Sequence, residues 1–133
     1  MKVNIVFPVL DEERRLEKGI RTTEAFLAKR RDIDAVITIV DNGSTDRTPD
    51  IIKELADVYS NIEYITLSER GFGLAFREAV KRNRCDIIGY VDVDLSTDIH
   101  YLSKVMKAFE KYDDISVIKG NRLSGKSKVN GRK

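Results

Sequence analysis

The chain has 133 residues, of which 41% are hydrophobic and 35% charged, a composition ordinary for a soluble protein of one domain with a single sizeable core. No apolar stretch nears the roughly 20 residues that cross a bilayer, and the short hydrophobic run behind Met1 has neither the length nor the cleavage site of a signal peptide. The net charge of +2 hides an asymmetry: residues 122–133 hold five basic residues and no acidic one, so the remainder has 19 basic against 22 acidic residues and a net charge of −3.

The first strand candidate, Val3–Phe7, is followed by Asp11-Glu12 and then by Leu16, Ile20, Thr23 and Leu27 at helical spacing. The second, Ala35–Val40, ends in Asp41-Asn42-Gly43-Ser44. Thr48-Pro49, a cap residue before a proline at the first helical position, opens a helix marked by Ile51, Ile52, Leu55 and Val58. The third, Ile62–Leu67, leads through Glu69-Arg70-Gly71 into a helix marked by Leu74, Ala75, Ala79 and Val80. The fourth, Ile87–Val91, runs into Asp92-Val93-Asp94. Ser96, Thr97 and Asp98 then offer caps for a helix marked by Leu102, Val105, Met106 and Phe109. The fifth, Ile115–Ile118, ends in Lys119-Gly120-Asn121-Arg122.

Each strand is short and rich in Ile and Val, as strands buried on both faces are. Their strict alternation with helices predicts an α/β, doubly wound, mostly parallel sheet with right-handed crossovers and helices on both faces. In such sheets ligands bind beyond the carboxyl ends of the strands, and here all five ends carry polar groups.

Asp92 and Asp94, one residue apart on an extended chain, project to the same side about 7 Å apart. Two such oxygen donors can share one hard divalent cation, Mg²⁺ or Mn²⁺, which in turn can hold a diphosphate. A strand running into a polar turn, with either aspartate capping the next helix, gives the same short pattern. Asp41 at its strand end can accept hydrogen bonds from a base N–H or a ribose hydroxyl, while Ser44, Thr45 and Asp46 read as turn and cap residues. Gly71-Phe72-Gly73 permits close backbone approach to an anion at a helix start, and equally reads as a tight turn; it matches neither the dinucleotide fingerprint nor the P-loop. His100 is the only histidine and has no paired nucleophile, and one cysteine with one histidine does not make a zinc site. Cys85 reads as a packing residue that, without a partner, fits a reducing cytosol. The basic segment suits a solvated terminus, phosphate or an anionic membrane surface; nucleic acid is not expected, because no aromatics interleave its charges.

Pro8-Val9-Leu10-Asp11-Glu12, the run Val40-Asp41-Asn42-Gly43-Ser44-Thr45-Asp46-Arg47-Thr48, the segment Glu69–Ala75 and Asp92-Val93-Asp94 stand in an order and spacing that resembles the inverting family-2 glycosyltransferases of GT-A fold. The stretch Gly120–Val129 is similar to one in the polyprenyl-phosphate (dolichol-phosphate) hexose synthases of that family. The resemblance implies a Rossmann-like nucleotide-sugar-binding domain over residues 1–121, with the basic segment 122–133 starting an acceptor-side region that family members continue. It implies transfer of a hexose from a nucleotide sugar of the UDP-glucose or GDP-mannose class to a polyprenyl phosphate. Asp41 would contact the base, Pro8 and Glu12 would line the nucleoside pocket, and Gly71 would approach the donor. Asp94 with Asp92 would hold Mg²⁺ or Mn²⁺ on the diphosphate, and Arg122 would face donor or acceptor phosphate. The metal would neutralise the leaving nucleoside diphosphate while the lipid phosphate, already anionic, attacks the anomeric carbon from the opposite face without a general base.

Departures from the family pattern are Leu10 for tyrosine, Asp11 for asparagine, Asn42 for the second aspartate, Glu69 for asparagine, and Ser96 where some relatives place a third metal-side ligand. The lone cysteine suggests the cytoplasm and the basic segment allows contact with the cytoplasmic face of a membrane, and an unpaired sheet edge would let the chain self-associate. A nucleotide-sugar-binding module without turnover is the alternative reading. A phosphoacceptor signalling domain of similar architecture is disfavoured, because the third strand ends Thr66-Leu67-Ser68-Glu69 with no aspartate.

Overall fold

The structure is a computed structural model that describes residues 2–68, 71–93, 104, 117–120 and 129–132. Its contacts form two units, Met1–Asp94 and Leu95–Lys133. In the first, β1 (Lys2–Val9), β2 (Asp34–Asp41), β3 (Ile62–Thr66) and β4 (Ile87–Tyr90) make a parallel sheet in the order β3-β2-β1-β4. Three helices connect them: α1 (Leu16–Ala28), α2 (Thr48–Val58) and α3 (Phe72–Arg82).

β1 is central, and every residue from Val3 to Val9 is buried. Side chains alternate between the faces of a strand, so Val6 and Val40 lie on one side of the sheet and Ile5, Phe7, Ile37 and Ile39 on the other. Val6 and Val40 pack with Ile65, Leu67, Ala75 and Ala79, which puts α3 on their face. The first two crossovers step outward from β1 to β2 to β3, and the third returns past β1 to β4. Right-handed connections therefore put α1 and α2 on one face and α3 on the other. Asn4, buried among apolar neighbours in β1, is satisfied by accepting from Thr38 Oγ1 at 2.7 Å and donating to Asn83 Oδ1 at 3.2 Å.

Helical spacing placed Leu27, Val58 and Val80 on core stripes, and the structure moves all three. Phe26 is buried where Leu27 is only half-buried, with the Arg30 guanidinium 5.9 Å from its ring centre. Val58 and Val80, in the last turns of α2 and α3, are 60% and 45% exposed. The Thr48 cap is also reassigned. The α2 start is closed by Asp46, whose Oδ1 accepts the Thr48 N–H at 2.8 Å, and the Thr48 hydroxyl faces the loop after β1 instead.

In the second unit, β5 (Val117–Gly120) pairs antiparallel with β6 (Val129–Arg132). The expected fifth parallel strand thus has a hairpin partner inside the basic segment. The antiparallel pairing fits the short spacing between the two strands, since a parallel crossover takes about a dozen residues. The helix expected around Leu102, Val105, Met106 and Phe109 lies outside the described residues.

Candidate functional site

The reversal of strand order between β1 and β4 is a topological switch point, the place beyond the carboxyl ends of the strands where sheets of this kind bind ligands. Glu12 and Asp11 follow β1 on one side of it and Asp92 follows β4 on the other. Asp41 ends β2, in register with Val9 of β1, and Pro8 is paired with Val40.

Asp41 is 2% exposed. Its Oδ1 accepts the Ser44 N–H at 2.9 Å, which fixes the carboxylate and turns the chain through Gly43 at φ +89°, a left-handed conformation natural to glycine. A carboxylate has acceptor capacity beyond one bond, so a base N–H or ribose hydroxyl can still be received there. Asn42 is 3% exposed and its Oδ1 accepts the Gly71 N–H at 2.9 Å, tying the end of β2 to the start of α3. Gly71 is thereby brought to the same edge as Asp41.

The loop after β1 is clasped to the loop after β2. Asp11, a non-glycine residue at φ +50°, donates its N–H to Ser44 Oγ at 2.9 Å, and its Oδ1 accepts the N–H groups of Thr45 at 2.7 Å and Asp46 at 3.3 Å. Glu12 N–H donates to Thr48 Oγ1 at 2.9 Å and Glu13 N–H to Asp46 Oδ2 at 3.2 Å. Burial alone would push the Asp46 carboxyl up, but the hydrogen bonds from Thr48 and Glu13 outweigh it and hold the group below the usual carboxylate range. Glu12 is half-buried, its carbonyl accepts the first amides of α1, and its carboxylate pairs with Arg15 at 3.2 Å.

Pro8, Glu12, Asp41, Gly71 and Asp92 therefore all lie at one edge of one sheet. Asp94 and Arg122 lie outside the described residues, as do Glu69, Ser96 and His100. The Val91 N–H bonds the Val6 carbonyl at 2.9 Å, so β4 remains attached to β1 up to the acidic segment. Asp92 beyond it is half-buried and Val93 is 2% exposed. Among the described residues no group of three or more His, Cys, Asp or Glu comes together. A hard-oxygen donor at this strand end fits Mg²⁺ or Mn²⁺, which keep few protein carboxylates and complete their shell with phosphate oxygens and water. Cys85 is half-buried on the opposite edge, near Asp86, and burial raises its thiol pKa, consistent with packing rather than reactivity.

The clasp roles of Asp11 and Asn42 were not read from the sequence, although both lie in its motifs, and the helix residue Gly19, which touches Val93, was not marked at all. Asp11 and Asn42 carried a signal, since short polar side chains that bond nearby amides gather in such loops. Nothing local in the sequence marks Gly19.

Compared with known proteins, residues 4–133 match the model of glycosyl transferase family 2, and the chain belongs to that family. It is 31% identical over 137 aligned positions to a dolichyl-phosphate beta-glucosyltransferase, ALG5D, of Trichomonas vaginalis, covering 96% of this chain and 42% of the relative. It is 29% identical to an undecaprenyl-phosphate 4-deoxy-4-formamido-L-arabinose transferase of Pseudomonas fluorescens, covering 90% and 36%. The chain thus spans less than half the length of these relatives. Among solved structures, S. aureus TarS in complex with UDP-GlcNAc is similar with a TM-score of 0.67 at 20% identity, over 86% of this chain and 33% of that one. A mannosyltransferase from Pyrobaculum calidifontis in complex with GDP-Man and Mn²⁺ gives 0.61 at 23%, over 69% and 27%. These likenesses show the GT-A fold.

Proposed function

We propose that this chain is the donor-binding part of a hexosyltransferase that uses a divalent cation to hold a nucleoside-diphosphate sugar and delivers the hexose to a polyprenyl phosphate. The observation that carries the reading is the switch-point edge, where the buried, fixed carboxylate of Asp41 and the half-buried Asp92 stand at the carboxyl ends of β2 and β4. Asp41 would receive the base, Pro8 and Glu12 the nucleoside, and Asp92 with Asp94 the cation on the diphosphate. Arg122 would meet a phosphate. The polyprenyl-phosphate acceptor is supported by the names of the dolichyl- and undecaprenyl-phosphate relatives, and the cation by the Mn²⁺ of the mannosyltransferase complex. The basic segment 122–133 supports work at an anionic cytoplasmic membrane face.

Calorimetric titration of UDP, GDP, UDP-glucose and GDP-mannose with and without Mn²⁺ tests this. Wild type should bind one base series, at least tenfold tighter with Mn²⁺, and Asp92→Asn and Asp94→Ala should lose the increment. Binding of no nucleotide, or binding indifferent to metal in all three proteins, would overturn it.

A further inference from the structure

The segment carrying Asp92 rests on a glycine. Gly19 is the fourth residue of α1, where its N–H already makes a helical hydrogen bond and alanine would ordinarily stabilise. A Cβ on Gly19 would stand 2.1 Å from the Val93 carbonyl oxygen, 2.9 Å from Val93 Cγ2 and 3.2 Å from the Val93 carbonyl carbon. The nearest of these is backbone, so no rotamer change relieves it.

The helix is the less yielding partner. Gly19 N–H bonds the Arg15 carbonyl at 3.0 Å, and the Gly19 carbonyl accepts the hydroxyl of the fully buried Thr23 at 2.9 Å. The α1 start is fixed in turn by the Glu12 carbonyl, which accepts the Arg15 and Leu16 amides at 3.0 and 2.9 Å. To clear even the tightest real Cβ contact, the Val93 carbonyl would have to retreat by about 1 Å, a displacement that can cost a site two orders of magnitude. That carbonyl belongs to the peptide joining Val93 to Asp94, and Asp92 is the residue before it.

We infer that Gly19 is a positioning residue for the cation: by carrying no side chain it seats Val93 against α1 and so sets where the preceding Asp92 carboxylate meets the metal. The inference rests on the metal reading proposed above. Gly19 touches neither metal nor nucleotide, and it acts through Val93.

The test measures Mn²⁺ affinity directly, by the loss of the free-ion electron paramagnetic resonance signal in the presence of saturating UDP or GDP. Metal-free nucleotide affinity and the melting curve are measured alongside. Gly19→Ala should bind Mn²⁺ at least tenfold more weakly while keeping metal-free nucleotide affinity within twofold. Val93→Ala, which loosens the seat without adding a clash, should weaken Mn²⁺ about threefold and decides the matter if Gly19→Ala does not fold. Asp92→Asn separates the two ideas. If it abolishes Mn²⁺ binding while Gly19→Ala (or, where that fails to fold, Val93→Ala) leaves it unchanged, the positioning role is overturned and the metal site stands. If Asp92→Asn leaves Mn²⁺ binding unchanged, both are overturned. Equal weakening of Mn²⁺ and metal-free nucleotide by Gly19→Ala would also overturn the role, since it would show only general damage.

Discussion

Asp11 combines two costs and benefits that three substitutions can separate. Its backbone sits at φ +50° and its carboxylate accepts two loop amides, from Thr45 and Asp46. The left-handed conformation costs an L-residue with an unhelpful side chain about 1–2 kcal/mol, while asparagine and aspartate tolerate it. A hydrogen bond to a loop amide contributes about 0.5–1.5 kcal/mol, more when the acceptor is charged. Asp11→Asn keeps the conformation and an acceptor, so it should fall within about 1 kcal/mol of wild type. Asp11→Gly keeps only the conformation and should lose about 1–3 kcal/mol. Asp11→Ala loses both and should lose about 2–4 kcal/mol. Urea unfolding followed by circular dichroism reads the order from the midpoints, provided the slopes agree. Alanine equal to glycine would show that the positive φ carries no cost. Asparagine as damaging as alanine would show that the clasp depends on charge and not on the two bonds.

Gly43→Ala should lose about 1–2 kcal/mol in the same assay, because φ is +89° there, and a neutral result would contradict the turn geometry. Asp41→Asn keeps an acceptor for the Ser44 amide, so stability should stay within about 1 kcal/mol while nucleotide affinity by calorimetry falls about tenfold. Glu24, buried with no hydrogen-bond partner for Oε2 among the described residues, has its pKa raised by burial, against a lowering from its bond with Asn61. Its contribution is therefore fully present below the unfolded carboxylate pKa and is lost as pH rises through the raised folded value. Glu24→Gln should remove that decline, giving a variant more stable than wild type at pH 8 and converging with it at low pH; parallel pH profiles would refute this. Asp46 acts in the opposite sense, since its lowered pKa stabilises above the unfolded value and the benefit fades as pH falls through the folded one.

The three strand–helix pairs of the first unit were legible because two simple signals agree there. Runs such as Ile37–Val40 are apolar on both faces, and Leu16, Ile20 and Thr23 recur at helical spacing. Both signals fade at helix ends, where a residue such as Val58 keeps the phase of the stripe after the helix has passed the sheet. The strand ends were legible because charged residues cannot continue a buried run, which marked Asp41 and Asp92 from composition alone. What could not be read was pairing at a distance. Asn42 reaches Gly71, Asp11 reaches Thr45 and Asp46, and Gly19 meets Val93 only after the sheet has assembled. The β5–β6 pairing escaped for a related reason: alternation suggested another parallel strand, and only the short connection argues for a hairpin.

The wiring of these loops bears on how a diphosphate can be held. Many nucleotide sites wrap phosphates in backbone amides at a glycine-rich turn or helix start. Here the amides of Asp11, Glu12, Glu13, Ser44, Thr45, Asp46, Thr48 and Gly71 all donate to side chains of the chain itself. The N-cap residues of α1, α2 and α3 alike make no side-chain cap hydrogen bond, but with these amides committed the loops after β1 and β2 keep few donors among the described residues to offer an anion. The side chains that do this wiring include the carboxylates of Asp11, Asp41 and Asp46, and Asp92 adds another beyond β4. An edge of that sign repels a bare diphosphate, and a divalent cation between them reverses the interaction by placing two positive charges where both sides are negative. On the proposed reading, loop order and metal dependence would be two consequences of one choice. Spending the amides on internal clasps fixes Asp41 in place before any ligand arrives, and on the proposed reading it would leave the phosphates to be met by a cation.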